Sequence, residues 1–114
     1  MAPTSQFKNA IKTAIGNSYE TVYTAPIGKD SYVIELDIAS TDNTGVQVSV
    51  RIFDDSAAVT AFVVKGAPVP VGSSLQVIDG QKIVLETGDY IEVQCDTPGE
   101  TVDAILSLVE DVNS

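Results

Sequence analysis

Histidine is absent from this 114-residue chain and cysteine occurs once, as Cys95. Without imidazole the commonest general base and the commonest metal ligand are both missing, and no Ser-His-Asp or Cys-His relay can be assembled. Cys95 shares its parity with Ile91 and Val93 in an alternating run, which predicts a buried, inward-facing thiol and not a nucleophile. A single thiol also forms no internal disulfide. Carboxylates remain, and two groups of them merit weighing. Asp54-Asp55, with the loop that holds Asp42 and Asn43, offers oxygen ligands of the kind Ca²⁺ takes, but the spacing matches no EF-hand loop. Glu86, Asp89, Glu92, Asp96 and Glu100 surround the Tyr90–Cys95 run. A glycosidase needs two facing carboxylates with one in an apolar setting, and nothing separates one of these from the others. Gly45 and Gly72-Ser73-Ser74 sit in turns, with no phosphate loop following a strand. Tryptophan is missing. Tyr19 and Tyr23 could line a small platform, although rings of this kind serve core packing or an interface more readily. The expectation is no catalytic residue, no cofactor and no metal site, hence not an enzyme but a protein that binds or builds.

The elements that position these groups follow from charge and periodicity. The chain is long enough for one domain with one core. Its 16 acidic and 6 basic residues give a formal net charge of −10, which argues against nucleic acid and anionic membranes as partners. The opening, from Met1 to Lys8, lacks an apolar stretch of the kind that directs export, so no signal peptide is expected. Apolar runs such as Ala61–Val64 are far too short to span a bilayer. Charge is unevenly spread. Residues 1–29 carry Lys8, Lys12 and Lys29 against Glu20 alone, a net of +2, and residues 30–114 carry Arg51, Lys65 and Lys82 against fifteen acids, a net of −12.

From residue 18 onwards the apolar pattern has a period of two. Tyr32, Ile34, Leu36 and Ile38 alternate with Val33, Glu35 and Asp37, and Val46, Val48, Val50 and Ile52 alternate with Gln47, Ser49 and Arg51. The turn-forming stretch Thr41–Gly45 between them predicts a hairpin. Further strands are predicted over Val59–Lys65, Leu75–Ile78, Lys82–Glu86, Tyr90–Cys95 and Thr101–Val109, with turns at Asp79-Gly80, Gly88-Asp89 and Pro98-Gly99. The last strand is apolar on both faces, so a central or doubly covered position is expected. The pattern is all-β: an antiparallel β-sandwich, jelly-roll or Ig-like, of seven to eight strands with an N-terminal strand or arm. Residues 1–17 are assigned to that first strand or arm and residues 18–114 to the sandwich. The first segment is ambiguous. Phe7, Ala10, Ile11, Ala14 and Ile15 have helical spacing, whereas Phe7, Asn9, Ile11, Thr13 and Ile15 would share one face of a strand.

The run Glu20–Lys29 carries a T-x-Y-T-x-P-x-G-K pattern, and Leu85–Asp89 reads L-x-x-G-D before the Tyr90–Val93 strand. In order along nearly the whole chain, these elements resemble small bacteriophage virion proteins, which include head decoration (cement) proteins and tail or fibre components. The resemblance implies an extended first strand, a non-enzymatic structural role and a place in the virion after synthesis in a host cytoplasm. A capsid decoration protein that stabilises the head is the leading expectation. Its partners would be the major capsid protein or other virion proteins, together with further copies of itself, a trimer among the arrangements considered. The candidate protein-interface residues are Phe7, Lys8, Ile11, Lys12 and Ile15. The alternative is a tail or fibre component, or a carbohydrate-binding module using loops such as Asp42–Gly45, Asp54–Ala57 and Ala67–Ser74.

Overall fold

Alternating apolar side chains can be buried by two sheets that face one another, and the backbone is arranged in that way. The computed structural model describes residues 5–41, 43, 45–99 and 101–112. Eight strands run through them: β1 (Ser5–Ile15), β2 (Glu20–Thr24), β3 (Lys29–Ser40), β4 (Val46–Asp54), β5 (Val59–Val69), β6 (Ser74–Leu85), β7 (Tyr90–Cys95) and β8 (Val102–Val112). They form two antiparallel four-stranded sheets, ordered β1-β8-β3-β6 and β2-β7-β4-β5. Of the consecutive strands only β4 and β5 pair as a hairpin; every other connection passes from one sheet to the other. This is the jelly-roll form of the expected sandwich. The ambiguous first segment is a strand, integral to the first sheet and continuous with the body.

The core lies between the sheets. Val33, Leu36, Ile38, Ala104, Leu106 and Leu108 from the first sheet meet Val48, Val50, Ile91, Val93 and Cys95 from the second, none more than 1% exposed. Each large aliphatic side chain buried this way stabilises the fold by roughly 1.5–3 kcal/mol before the entropy of ordering it is subtracted. The last strand is central in its sheet, between β1 and β3.

Three expectations are corrected. The predicted hairpin between residues 31–38 and 46–52 does not form, because β3 and β4 belong to opposite sheets. Both strands still bury one face in the same core, so their alternation looked like that of a paired hairpin. The predicted turn at Asp79-Gly80 lies within β6, where the four-residue step from Asp79 to Ile83 opposes the two-residue step from Val33 to Glu35. The same irregularity breaks the alternation of β3. Ile34 is the extra residue, Val33 and Leu36 both point inward, and Tyr32 pairs with Val109 on the outer face.

The β1–β2 corner is held by backbone contacts. The Cys95 N–H donates to the Gly16 carbonyl at 2.9 Å and the Thr101 N–H to the Ile15 carbonyl at 3.1 Å. A Cβ on Gly16 would lie 2.3 Å from the Gly99 carbonyl oxygen, a backbone atom that no rotamer change can move. Gly16→Ala is therefore expected to cost about 2 kcal/mol, in the range of other overpacking substitutions. A urea midpoint equal to that of the wild type would show that the corner yields freely.

Candidate functional site

Two features stand out from the packing: a buried carboxylate at one end of the core and an apolar half-face on the outside of the first sheet.

The carboxylate is Glu110. It continues the inward parity of Val102, Ala104, Leu106 and Leu108, and it is 2% exposed. Burial of a charge is tolerated only where partners satisfy it, and three residues do so. The Tyr23 hydroxyl donates to Glu110 Oε2 at 2.7 Å, and Lys8 Nζ and Lys29 Nζ each lie 3.3 Å from Oε1. Tyr23 has one hydroxyl proton, given to Glu110, so the buried Ser31 hydroxyl donates to Tyr23 at 2.7 Å. Tyr23 belongs to the second sheet and the other members to the first, so the cluster pins the two sheets together. The Tyr23 hydrogen bond holds Glu110 below the ordinary carboxylate range against the opposing effect of burial, and Lys29 and Lys8 add to it. Burial pushes Tyr23 up to about 12, with Glu110 contributing in the same direction. Both carboxylate oxygens and the Tyr23 and Ser31 hydroxyls are engaged within the cluster, an arrangement that suits a fastening.

The outer face of the first sheet divides in two. Phe7, Val109, Tyr32 and Val84 stand in one row across all four strands, by the pairings Phe7↔Val109, Tyr32↔Val109 and Tyr32↔Val84. Ile11 and Ile105 form a second apolar pair. Phe7 is 83% exposed and Ile11 62%, and Ile105 and Val84 are also exposed. Between the rows, a depression of about 280 Å³ is lined by Phe7, Lys8, Asn9, Ile34, Ser107 and Leu108. Glu35, Asp37 and Asp79 put charge at the far side of this face, on β3 and β6, and Asp103 of β8 lies at the end of β1, where it accepts the Ala14 N–H. A hydrogen bond to Asp37, then the negative charges of Asp37 and Asp79, raise Glu35 above its ordinary value. Among the described residues no group of three Cys, Asp or Glu side chains is placed to hold a metal ion.

The second sheet's outer face is more polar. Arg51 donates to Glu92 at 2.8 Å and lies 3.6 Å over the Tyr19 ring, while Phe53 and Tyr90 stack with centroids 5.1 Å apart.

The five candidate interface residues separate. Phe7 and Ile11 are on the exposed half-face. Lys8 turns to Glu110 and Lys12 to Glu20 at 3.3 Å, so neither hangs free as a basic arm. Ile15 is fully buried in the core and unavailable to a partner. The reason is a bulge: Lys12 pairs with Ala104 and Ile15 with Val102, leaving one extra residue in β1. Ala14 takes a φ of 60° there and donates its N–H to Asp103 Oδ1 at 2.9 Å. The shared face of Phe7, Ile11 and Ile15 is lost at that point. Tyr19 and Tyr23 make no common platform, since Tyr19 lies outside under Arg51 and Tyr23 enters the Glu110 cluster.

The carboxylate groups resolve differently as well. Asp54 ends β4 and Asn43 precedes its other end, with a strand of roughly 27 Å between, so the strand separates the two; Asp42 lies outside the described residues. Asp54 instead caps its own turn, accepting from Ser56 Oγ and the Ala57 N–H. Buried Asp89 accepts the N–H groups of Asp55 and Glu86, and Glu92 pairs with Arg51. Glu100 lies outside the described residues. The residue missed by sequence reading is Glu110, although the alternation of β8, extended two residues past Leu108, points to it.

No protein-family model matches the chain, and neither does any curated protein sequence. Solved structures do. A chain from the Bacillus endospore appendages, a family of disulfide-linked pili, is 17% identical with a TM-score of 0.58 and covers 98% of this chain and 89% of its own. A chain of the infectious bursal disease virus particle is 14% identical with a TM-score of 0.60, covering 97% of this chain but only 31% of the viral one. A chain of the acid-stable capsid of Helicobacter pylori bacteriophage KHP30 is 9% identical with a TM-score of 0.52, over 99% and 94% of the two chains. At these identities the likeness establishes the fold. No helix among the described residues is long and apolar enough to cross a membrane.

Proposed function

We propose that this protein is a non-enzymatic structural subunit of a bacteriophage particle, and specifically a decoration protein that stabilises the head. The observation that carries the proposal is the apolar half-face of β1 and β8, where Phe7 and Ile11 stand 83% and 62% exposed beside Ile105. Soluble proteins seldom leave adjoining large apolar side chains in water unless a partner covers them. The whole-length likeness to a bacteriophage capsid chain supports this reading, as does the T-x-Y-T-x-P-x-G-K pattern of Glu20–Lys29. Binding across joints between shell subunits would favour the assembled state by mass action. Quantitative mass spectrometry of purified particles tests it. A copy number of the same order as the major shell protein is expected, and absence from particles overturns the proposal. The double variant Phe7→Ser/Ile11→Ser should fold normally and be depleted from particles at least tenfold, each lost apolar contact contributing roughly 1 kcal/mol.

The stacked Phe53 and Tyr90 rings beside Arg51 and Glu92 favour a second reading, a tail or fibre component that recognises glycans. Copy numbers far below the shell protein, with saturable glycan binding abolished by Phe53→Ala/Tyr90→Ala, would replace the head assignment with this one.

A further inference from the structure

A sheet edge is a row of unpaired backbone groups, and proteins that stay apart blunt such edges. Three of the four edges here are blunted. β2 is only five residues long. β5 carries Lys65, Gly66 at φ 67° and Pro68, and it pairs with β4 through two register shifts. β6 is interrupted by two register shifts of its own. β1 differs. From Ser5 to Lys12 it is regular, with eight consecutive pairings to β8, and its other edge pairs with no strand among the described residues.

We infer that the free edge of β1 pairs antiparallel with β1 of a second copy, joining two first sheets into one eight-stranded sheet about a two-fold axis at Asn9. Three observations select a second copy and this register. First, the chain carries a net charge of −10, and the β1 segment, residues 5–15, is free of Asp and Glu. Its two lysines are already matched by Glu110 and Glu20; Glu35, Asp37 and Asp79 lie away on β3 and β6, and Asp103 of β8 is held by the Ala14 N–H, beyond the regular Ser5–Lys12 run. Two acidic molecules can therefore meet here without opposing their like charges. Second, Phe7 and Ile11 share the outer face and are equally spaced about Asn9, so the two-fold sets each Phe7 against the other copy's Ile11 and extends the apolar rows across the joint. Third, both registers displaced by one pleat fail: an axis at Lys8 opposes the two Lys8 side chains, and an axis at Ala10 opposes Lys8 to Lys12. Like charges directly opposite destabilise a pair, and the axis at Asn9 sets Lys8 against Ala10 instead. The closed two-fold contact uses the same patch twice and consumes both β1 edges, leaving only the interrupted β6 strands at the ends of the joined sheet.

This names a partner for the half-face on which the proposed function rests, but it is read out in isolated protein and fails separately from the particle count. Sedimentation equilibrium is expected to give a dimer of the 12.0 kDa chain. Under mild oxidation Asn9→Cys should form a disulfide-linked dimer in high yield. Thr13→Cys should not, because its two copies would stand about 27 Å apart along the joined strands. Wild-type protein serves as the control, its Cys95 being buried. Phe7→Ser should weaken the dimer about thirtyfold, since the symmetry removes two Phe7–Ile11 contacts for one substitution. A monomer at all accessible concentrations overturns the inference. So does a dimer linked through Thr13→Cys and not through Asn9→Cys. Monomeric protein found at high copy number in particles would leave the structural role standing and remove only the β1 joint.

Discussion

Replacing Glu110 with alanine is expected to lower the stability of the fold by about 3 kcal/mol, within the range measured when one partner of a buried ion pair is removed. For a domain of this size that corresponds to a fall of about 12 °C in the unfolding midpoint. The loss has two sources. The Tyr23 and Ser31 hydroxyls keep only each other, and an unsatisfied buried polar group costs more than a hydrogen bond contributes. The Lys8 and Lys29 ammonium groups lose their shared acceptor, yet side-chain exposures of 47% and 33% let water take its place. Single substitutions of either lysine should therefore cost less than about 1 kcal/mol. A Glu110→Ala midpoint within 2 °C of the wild type would show that the cluster is not what fastens the sheets.

The same cluster sets the pH dependence from both sides. Glu110 is held below the ordinary carboxylate range in the folded state. Its contribution is complete above the unfolded carboxylate value of about 4.3, and it is lost as pH falls through the lower folded value, because the unfolded chain takes up the proton first. Tyr23 is raised from 10.0 to about 12. Its contribution is complete below about pH 10 and declines towards pH 12, where the unfolded phenol ionises before the folded one. Urea midpoints of wild type and Tyr23→Phe, compared from pH 3 to pH 12, should differ most near neutrality and converge at the alkaline end. A constant difference across that range would mean that Tyr23 stabilises by packing alone.

Sheet content was legible in the sequence because half-buried strands write a period of two into the residue types, and this chain does so from Tyr32 to Leu108. Connectivity was not. An alternating pair of strands separated by Thr41–Gly45 looks the same whether the strands pair side by side or face each other across a core, since either arrangement buries alternate residues. Bulges were also hidden. Ile34 and Ala14 each shift a face by one position, and no residue type forces that. For Ala14 the compensating signal is remote, an Asp103 carboxylate 89 positions away that accepts its N–H. The candidate surface was half legible for the same reason. Phe7 and Ile11 follow from the strand reading of β1, whereas the separation of Ile15 from them depends on the bulge.

Removal of residues 1–15 is expected to abolish cooperative folding, an outcome that distinguishes an integral strand from an attachment arm. Three losses coincide. Ile15, fully buried at the mouth of the core, leaves a cavity that for a large-to-small change alone costs roughly 2–5 kcal/mol. Lys8 leaves Glu110 with one ammonium partner fewer. β8, central and apolar on its inner face, becomes an edge whose backbone groups lose their pairing from Val102 to Asp111. Small domains are stable by only about 5–15 kcal/mol, so these losses together exceed what a domain of this size can give up. The truncated chain should bind a hydrophobic dye and lack a cooperative thermal transition. Addition of a synthetic peptide spanning residues 1–17 should restore the transition, because an edge strand can be supplied from outside through the same ladder. A truncated protein that unfolds cooperatively near the wild-type midpoint would mean that β1 is an appendage. The Glu110 cluster would then have to persist without Lys8, and the exposed Phe7 and Ile11 would be read as an arm laid on the sheet and not as part of it.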